Sequence, residues 1–199
     1  MANLIEFETK RLLLRQWLPA DCEPFVVLNT DPKGMKYFPS LLPRAESDAM
    51  ADCCQSLIEE HGWGFWAAEW KATRAFIGFV GLHTPSAELP FSPCIEVGGR
   101  LAFQHWDKGF ATEAASKALS VGFQVFQLQE TVSFTTLGNR RYRAVMERLG
   151  MRESGTFEHP HIPESTGLRQ HFLYRLSGAS HAAQPCAQPR SLRSPDAAR

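Results

Sequence analysis

The sequence has no C-x-x-C pair, no net charge and no apolar run of membrane-spanning length. The five cysteines, Cys22, Cys53, Cys54, Cys94 and Cys186, show neither zinc-finger nor thioredoxin spacing. Lys+Arg and Asp+Glu number 21 each, which argues against a broad nucleic-acid footprint. Without an apolar span, no membrane-spanning helix is expected. Met1 opens no signal-peptide pattern, so a reduced, cytoplasmic chain is the expectation. The pair His159 and His161 lacks a third ligand at helical or finger spacing, so no metal site is expected. There is no G-x-G-x-x-G fingerprint and no Walker A loop.

What is present is enough apolar material for one sizeable core. The 199 residues are 44% hydrophobic. Composition shifts after Ser177. Residues 178–199 are rich in Ala, Pro, Ser, Gln and Arg and poor in large apolar side chains. Such a segment does not offset its ordering entropy, so a domain over 1–177 and a disordered tail over 178–199 are expected.

Patterning between these limits alternates strands and helices. Strands are expected at 12–16, 64–70, 76–83, 95–101, 131–136, 152–157 and 168–176. Helices are expected at 21–29, 47–60, 110–126 and 139–149, the second followed by Gly62 and the last by Gly150. Trp63, Phe65, Trp66 and Trp70 form a dense aromatic run whose default reading is core packing, with lining of an acceptor pocket as the alternative. The glycines Gly98-Gly99 inside a strand suggest a bulge or a close backbone approach.

One stretch carries chemistry: Trp106-Asp107-Lys108-Gly109-Phe110-Ala111-Thr112-Glu113-Ala114. It lies between the strand ending at Leu101 and the helix starting at Phe110. A strand, a glycine turn and a helix N-terminus form an anion site, because the first helical N–H groups point outward and the helix dipole favours negative charge. Gly109 supplies the backbone freedom and Ala111 keeps the next turn small. Asp107 adds a negative charge beside that site, tolerable where it faces solvent or caps the helix.

This stretch resembles the acetyl-CoA pyrophosphate loop of the GNAT superfamily of N-acetyltransferases. It is closest to the branch related to ribosomal-protein N-terminal (RimJ/RimL-like) acetyltransferases, which reads Trp-Gly-Lys-Gly-Tyr-Ala-Thr-Glu-Ala. Further segments resemble that branch in order: Glu8 to Arg15, Ile95 to Leu101, Asn139 to Met151, and His171 to Leu176. The resemblance implies an α+β (α/β) GNAT fold, a mixed and partly splayed sheet of about six to seven strands with about four helices. It implies acetyl-CoA as co-substrate, held by backbone near Leu101 and Ala102 and by Trp106, Lys108, Gly109, Phe110, Ala111, Thr112 and Glu113. Asn139, Tyr142 and Arg143 of the following motif are implied on the same ligand. Asn139 also reads as a plain helix cap. Arg140, Arg141 and Arg143 read as a solvated face or as contacts to the 3′-phosphate of the coenzyme.

Amine acetylation needs a free amine and a protonated leaving thiol. Tyr142 is the candidate general acid, with a core tyrosine as the alternative. Glu96 and Glu158 compete for general base. Strand alternation puts Glu96, Gly98 and Arg100 on one face, so an ion pair of Glu96 with Arg100 is the competing structural reading. A solvated loop charge is that for Glu158. The expected activity is direct transfer of acetyl to a primary amine, either a protein N-terminus or a small molecule. A non-catalytic acyl-CoA sensor and an antibiotic- or polyamine-modifying acetyltransferase are the alternatives. A monomer or homodimer without nucleic-acid or membrane partners is expected.

Overall fold

The computed structural model of the chain describes residues 4–183. The elements in order are β1 (Phe7–Glu8), β2 (Leu12–Arg15), α1 (Cys22–Thr30), α2 (Arg44–His61), β3 (Phe65–Trp70), β4 (Ala75–His83), β5 (Glu96–Leu101), α3 (Phe110–Gln124), β6 (Glu130–Thr136), α4 (Arg140–Arg148), β7 (Arg152–Glu158), β8 (Gln170–Ser177) and α5 (Gly178–Ala182). They form an α+β fold with one eight-stranded mixed sheet, ordered β1-β2-β3-β4-β5-β6-β8-β7. Among the described residues no helix is long and apolar enough to cross a membrane.

Eight strands and five α-helices exceed the expected counts. The additional strand is β1, two residues paired with Leu13 and Leu14 across a turn at Thr9. The additional helix, α5, occupies the start of the segment expected to be disordered. Ser177 caps it through Ser180 N–H, and His181 stacks on Phe123 at 5.0 Å. Small residues thus dock where a ring contact and a cap are available. Residues 184–199, including Cys186, lie outside the described residues.

Alternation along β4 explains the two layers. Leu82 points to α3, where it meets Gly122, while Phe79 points to α1 and meets Phe25 at 5.7 Å. The core holds Leu12, Leu14, Phe25, Ile58, Trp66, Ile77, Leu82 and Leu119, all essentially inaccessible. α2 stops where Gly62 takes φ 79°, its N–H closing on Ile58 C=O at 2.8 Å. A buried ionic group fastens the start of the domain to the sheet. Arg15 bonds Asp21 at 2.7 Å and Glu69 at 2.8 Å, and none of the three is more than 7% exposed.

Of the two readings of Gly98-Gly99, a bulge or a close approach, the bulge is absent from the β4–β5 pairing, which runs in continuous register from Gly78↔Leu101 to His83↔Glu96. The glycines answer to close approach instead. A Cβ on Gly99 would sit 2.4 Å from the Phe79 carbonyl oxygen. Register shifts lie elsewhere, in the β3–β4 pairing at Ala68/Glu69 and in the β7–β8 pairing at Glu153/Thr156.

Candidate active site

β5 and β6 run parallel but pair at one position, Glu96↔Val132, and then diverge. This is the splay that the sequence resemblance implied. Backbone directions along β5 follow from its bonds. Ala102 N–H goes to Ile77 C=O at 2.9 Å, on the β4 side. Ile95 C=O instead accepts from Val132 N–H, on the β6 side. Alternation therefore turns the amides of Gly99 and Leu101, beyond the one paired position, into the gap between β5 and β6. Leu101, expected on the ligand, has its amide on the open side of β5. Ala102 is corrected, because its amide is spent on β4.

Tyr142, from the first turn of α4, closes the apex of the gap. Its hydroxyl donates to Val97 C=O at 3.3 Å and accepts from Ser133 Oγ at 3.2 Å, so it touches both diverging strands. Burial of the hydroxyl, then the nearby Glu96 charge, pushes this phenol well above its ordinary range. Asn139 caps α4 through Tyr142 N–H at 3.3 Å, and its amide donates to Thr135 Oγ1 at 2.9 Å. Both ends of the Asn139 side chain are thus engaged within the chain, which matches its reading as a cap.

At the end of β5 the chain turns into α3. Gly109 takes φ 77° and Asp107 φ 58°. Gly109 is the N-cap of α3 with no side chain to cap the first turn, so the amides of Phe110, Ala111 and Thr112 face outward. Phe110 itself is 2% exposed and packs on Trp70, so its side chain serves the core. Trp106 braces the turn from below, its indole N–H donating to Leu101 C=O at 2.7 Å.

Cations gather around this helix start. Arg11 donates to the Lys108 carbonyl at 2.8 Å, Arg148 to Thr112 Oγ1 at 3.1 Å, and Arg141 pairs with exposed Asp107. Lys108 lies over the Trp70 ring. The charge of Asp107 is thereby answered by an arginine from α4. Glu113, expected on the ligand, instead anchors the turn at β1–β2. Its carboxylate accepts from Thr9 Oγ1 at 2.6 Å and from Arg11 N–H and Nε at 2.8 and 2.7 Å. Burial alone would raise its pKa, but these bonds hold it below the ordinary range. Arg143 also departs from expectation, lying over Phe172 at 3.9 Å and bonding Tyr174 and Glu153 on the far strands. Arg141 is the arginine of that trio that leans to the loop.

The opposite face of β5 carries Glu96, Gly98 and Arg100. Glu96 does not pair with Arg100. Its Oε2 lies 2.7 Å from Nε2 of His83, its cross-strand neighbour on β4. His83 stacks on Phe65 with ring centroids 4.3 Å apart. Gly98 leaves the space between them open, since a Cβ there would touch Phe65 and Glu96 at 3.3–3.4 Å. Phe65, assigned to packing by default, thus lines the floor beside the acid–imidazole pair. His83 was missed in the sequence, where its pairing with Glu96 depends on register across two strands.

Glu158 is placed elsewhere. Its side chain is 68% exposed and pairs with Arg169 at 3.1 Å. Alternation in β7 turns it away from the face on which Phe157 meets His171 and Phe134. His159 and His171 join that aromatic wall, on the same face as Glu96 across the splay. Burial, then the two neighbouring histidines, draws His159 down to about 4. No group of three metal-binding side chains occurs among the described residues.

Arg100 is buried without an acid. It packs on Phe38 and Phe79, its guanidinium 4.5 and 5.5 Å from their centroids. Its Nε has no hydrogen-bond partner, and burial pulls its pKa down to about 10. Burying an unpaired ion costs several kcal/mol, while cation–π contacts return about 1–2 kcal/mol apiece at best.

The acetyltransferase (GNAT) domain family matches residues 11–152. The chain is 30% identical over 132 residues to the uncharacterized protein YkkB of Bacillus subtilis (strain 168), covering 66% of this chain and 76% of that protein. It is 25% identical over 150 residues to the uncharacterized N-acetyltransferase YoaA of the same organism, covering 74% and 83%. Its fold is similar to that of a GNAT-family acetyltransferase from Bacillus anthracis, with a TM-score of 0.74 at 22% identity over 88% of this chain and 99% of that one.

Proposed function

Since the chain belongs to the acetyltransferase (GNAT) domain family and is an acyltransferase, we propose that it moves acetyl from acetyl-CoA directly to a primary amine. The observation that carries the reading is the joining of three features in one gap: an uncapped helix start at Gly109, unpaired amides on β5, and the Glu96–His83 pair beside them. The site suits a coenzyme with a pyrophosphate and an extended arm. The backbone at Gly109 reaches its conformation without strain because no Cβ is present, and Lys108 and Arg148 add positive charge beyond the Arg11–Glu113 and Arg141–Asp107 pairs.

The coenzyme supplies an activated thioester. The α3 amides and surrounding cations hold its phosphates, and the β5 edge pairs with its arm as an added strand would. The amides of Gly99 and Leu101 are placed to polarise the thioester carbonyl. Glu96 takes the proton that the amine must lose, and His83 orients the carboxylate and passes the proton to solvent. Tyr142 turns its one hydroxyl hydrogen from Val97 C=O to the leaving sulfur. Its raised pKa makes complete proton delivery uphill, so stabilisation of the thiolate is its contribution. The acceptor is a small-molecule amine or a peptide N-terminus, the latter being the substrate class of the ribosomal-protein-related branch.

Thiol release from acetyl-CoA, measured with a panel of amines and short peptides, tests the reading. Amine-dependent release that falls sharply in Glu96→Gln is expected. Release that is independent of any amine, or equal in Glu96→Gln, would overturn it.

A further inference from the structure

Arg100 shares a face of β5 with Glu96 and Gly98, and acetyl transfer as derived above leaves it unused. Its residue is 7% exposed. Nη1 is turned onto the thioether of Met35, a weak acceptor, and Nε has no partner. No carboxylate among the described residues lies within ion-pair reach of it. The fork of donors is therefore held ready, among apolar groups, with nothing of matching charge.

Its cover comes from one segment. Met35 and Phe38 both belong to residues 31–43, between α1 and α2, and Phe38 is 44% exposed. Tyr37 of the same segment reaches the turn after β6, 3.7 Å from where a Cβ on Gly138 would sit. The segment thus lies over the sheet face that carries Glu96, His83 and Arg100.

Resting on the acetyl-transfer reading, we propose that Arg100 is the specificity-determining residue for the acceptor and binds a carboxylate at the end of the acceptor remote from its reacting amine. Four residue steps along the strand take Glu96 to Arg100, about 13 Å between Cα atoms. Both side chains lean to their β4 neighbours, His83 and Phe79, so amine and carboxylate stand on the order of 10 Å apart. A free α-amino acid, whose two groups share one carbon, is too short. One guanidinium in an apolar setting balances one carboxylate, whereas a phosphate dianion would leave buried charge uncompensated.

The test uses straight-chain ω-amino acids of about four to about twelve carbons, each compared with its carboxamide, as acceptors for the full chain. At the best length, kcat/KM for the acid should exceed that for the amide by about tenfold or more. Arg100→Met should bring this ratio near one by raising KM for the acids, with kcat and acetyl-CoA affinity much less affected. An acid-to-amide ratio near one in the unsubstituted protein overturns the proposal, even where Arg100→Met fails to fold. Failure of both series in a protein that binds acetyl-CoA also overturns it. Failure to bind acetyl-CoA would instead remove the acetyl-transfer reading beneath it.

Discussion

Nε2 of His83 and Oε2 of Glu96 stand 2.7 Å apart across neighbouring strands, on the face of β5 opposite its buried Val97. This pair is the basic centre of the proposed reaction. Glu96→Gln should lower kcat by about 10²–10⁴ with little change in acetyl-CoA affinity. His83→Phe keeps the stacking on Phe65 but removes the hydrogen bond, so a smaller loss of kcat with the pH profile altered is expected. Steady-state rates across pH check both, and an unchanged rate in Glu96→Gln would remove the base assignment.

Tyr142 joins Val97 to Ser133 at the apex of the splay. Tyr142→Phe should slow turnover roughly tenfold while acetyl-CoA still binds. Because the phenol is pushed upward by burial, it stays protonated through the working range. The alkaline limb of the rate profile should therefore be the same in the variant. A limb that disappears with the hydroxyl would show that the phenol titrates and acts as a full acid.

Arg15 holds Asp21 and Glu69 in a dry cluster. Arg15→Ala leaves buried Asp21 without an ion-pair partner and Glu69 with Arg74 alone, and should cost about 3–5 kcal/mol. Thermal unfolding should show the melting temperature falling by roughly 10 °C. A loss of only a degree or two would mean that the cluster contributes little.

His159 is kept neutral in the folded protein, its pKa drawn down to about 4 by burial and by His171 and His161. The unfolded chain binds a proton near the ordinary histidine value of about 6.5, so it gains protons first as pH falls. The stabilising contribution is complete above about pH 6.5 and is lost as pH falls toward 4. The residue is partly exposed, so solvent screening holds the effect to about 1 kcal/mol. Melting curves of His159→Gln and the unsubstituted protein should converge as pH drops through this window. Parallel curves would contradict the shift.

The loop from Trp106 to Glu113 was legible because its signals are local: a glycine where φ is positive, then helical spacing. Element order was legible for the same reason, including Gly62 and Gly150 as helix ends. What sequence did not show depends on register and cross-chain contact. The partner of Glu96 is set by β4–β5 pairing, which brings His83 rather than Arg100 beside it. Alternation grouped Glu96 with Arg100 correctly, but four steps along the strand, about 13 Å, keep them from pairing. Glu113 and Arg143 sit in motifs that suggested the ligand, yet Thr9 and Arg11 claim one and Tyr174 and Glu153 the other. Those partners lie far away in sequence or on another layer. The spent amide of Ala102 and the helix at Gly178 likewise follow from tertiary pairing.

Calorimetric titration of the full chain with acetyl-CoA, CoA and ATP tests the central claim most directly, alongside Gly109→Val. A β-branched residue at φ 77° is strained, so the loop should not keep its shape in that variant. Micromolar-range binding of acetyl-CoA and CoA, absent for ATP and weakened at least about tenfold in Gly109→Val, is the predicted result. Absence of binding by any CoA species, or affinity untouched by Gly109→Val, would contradict the account.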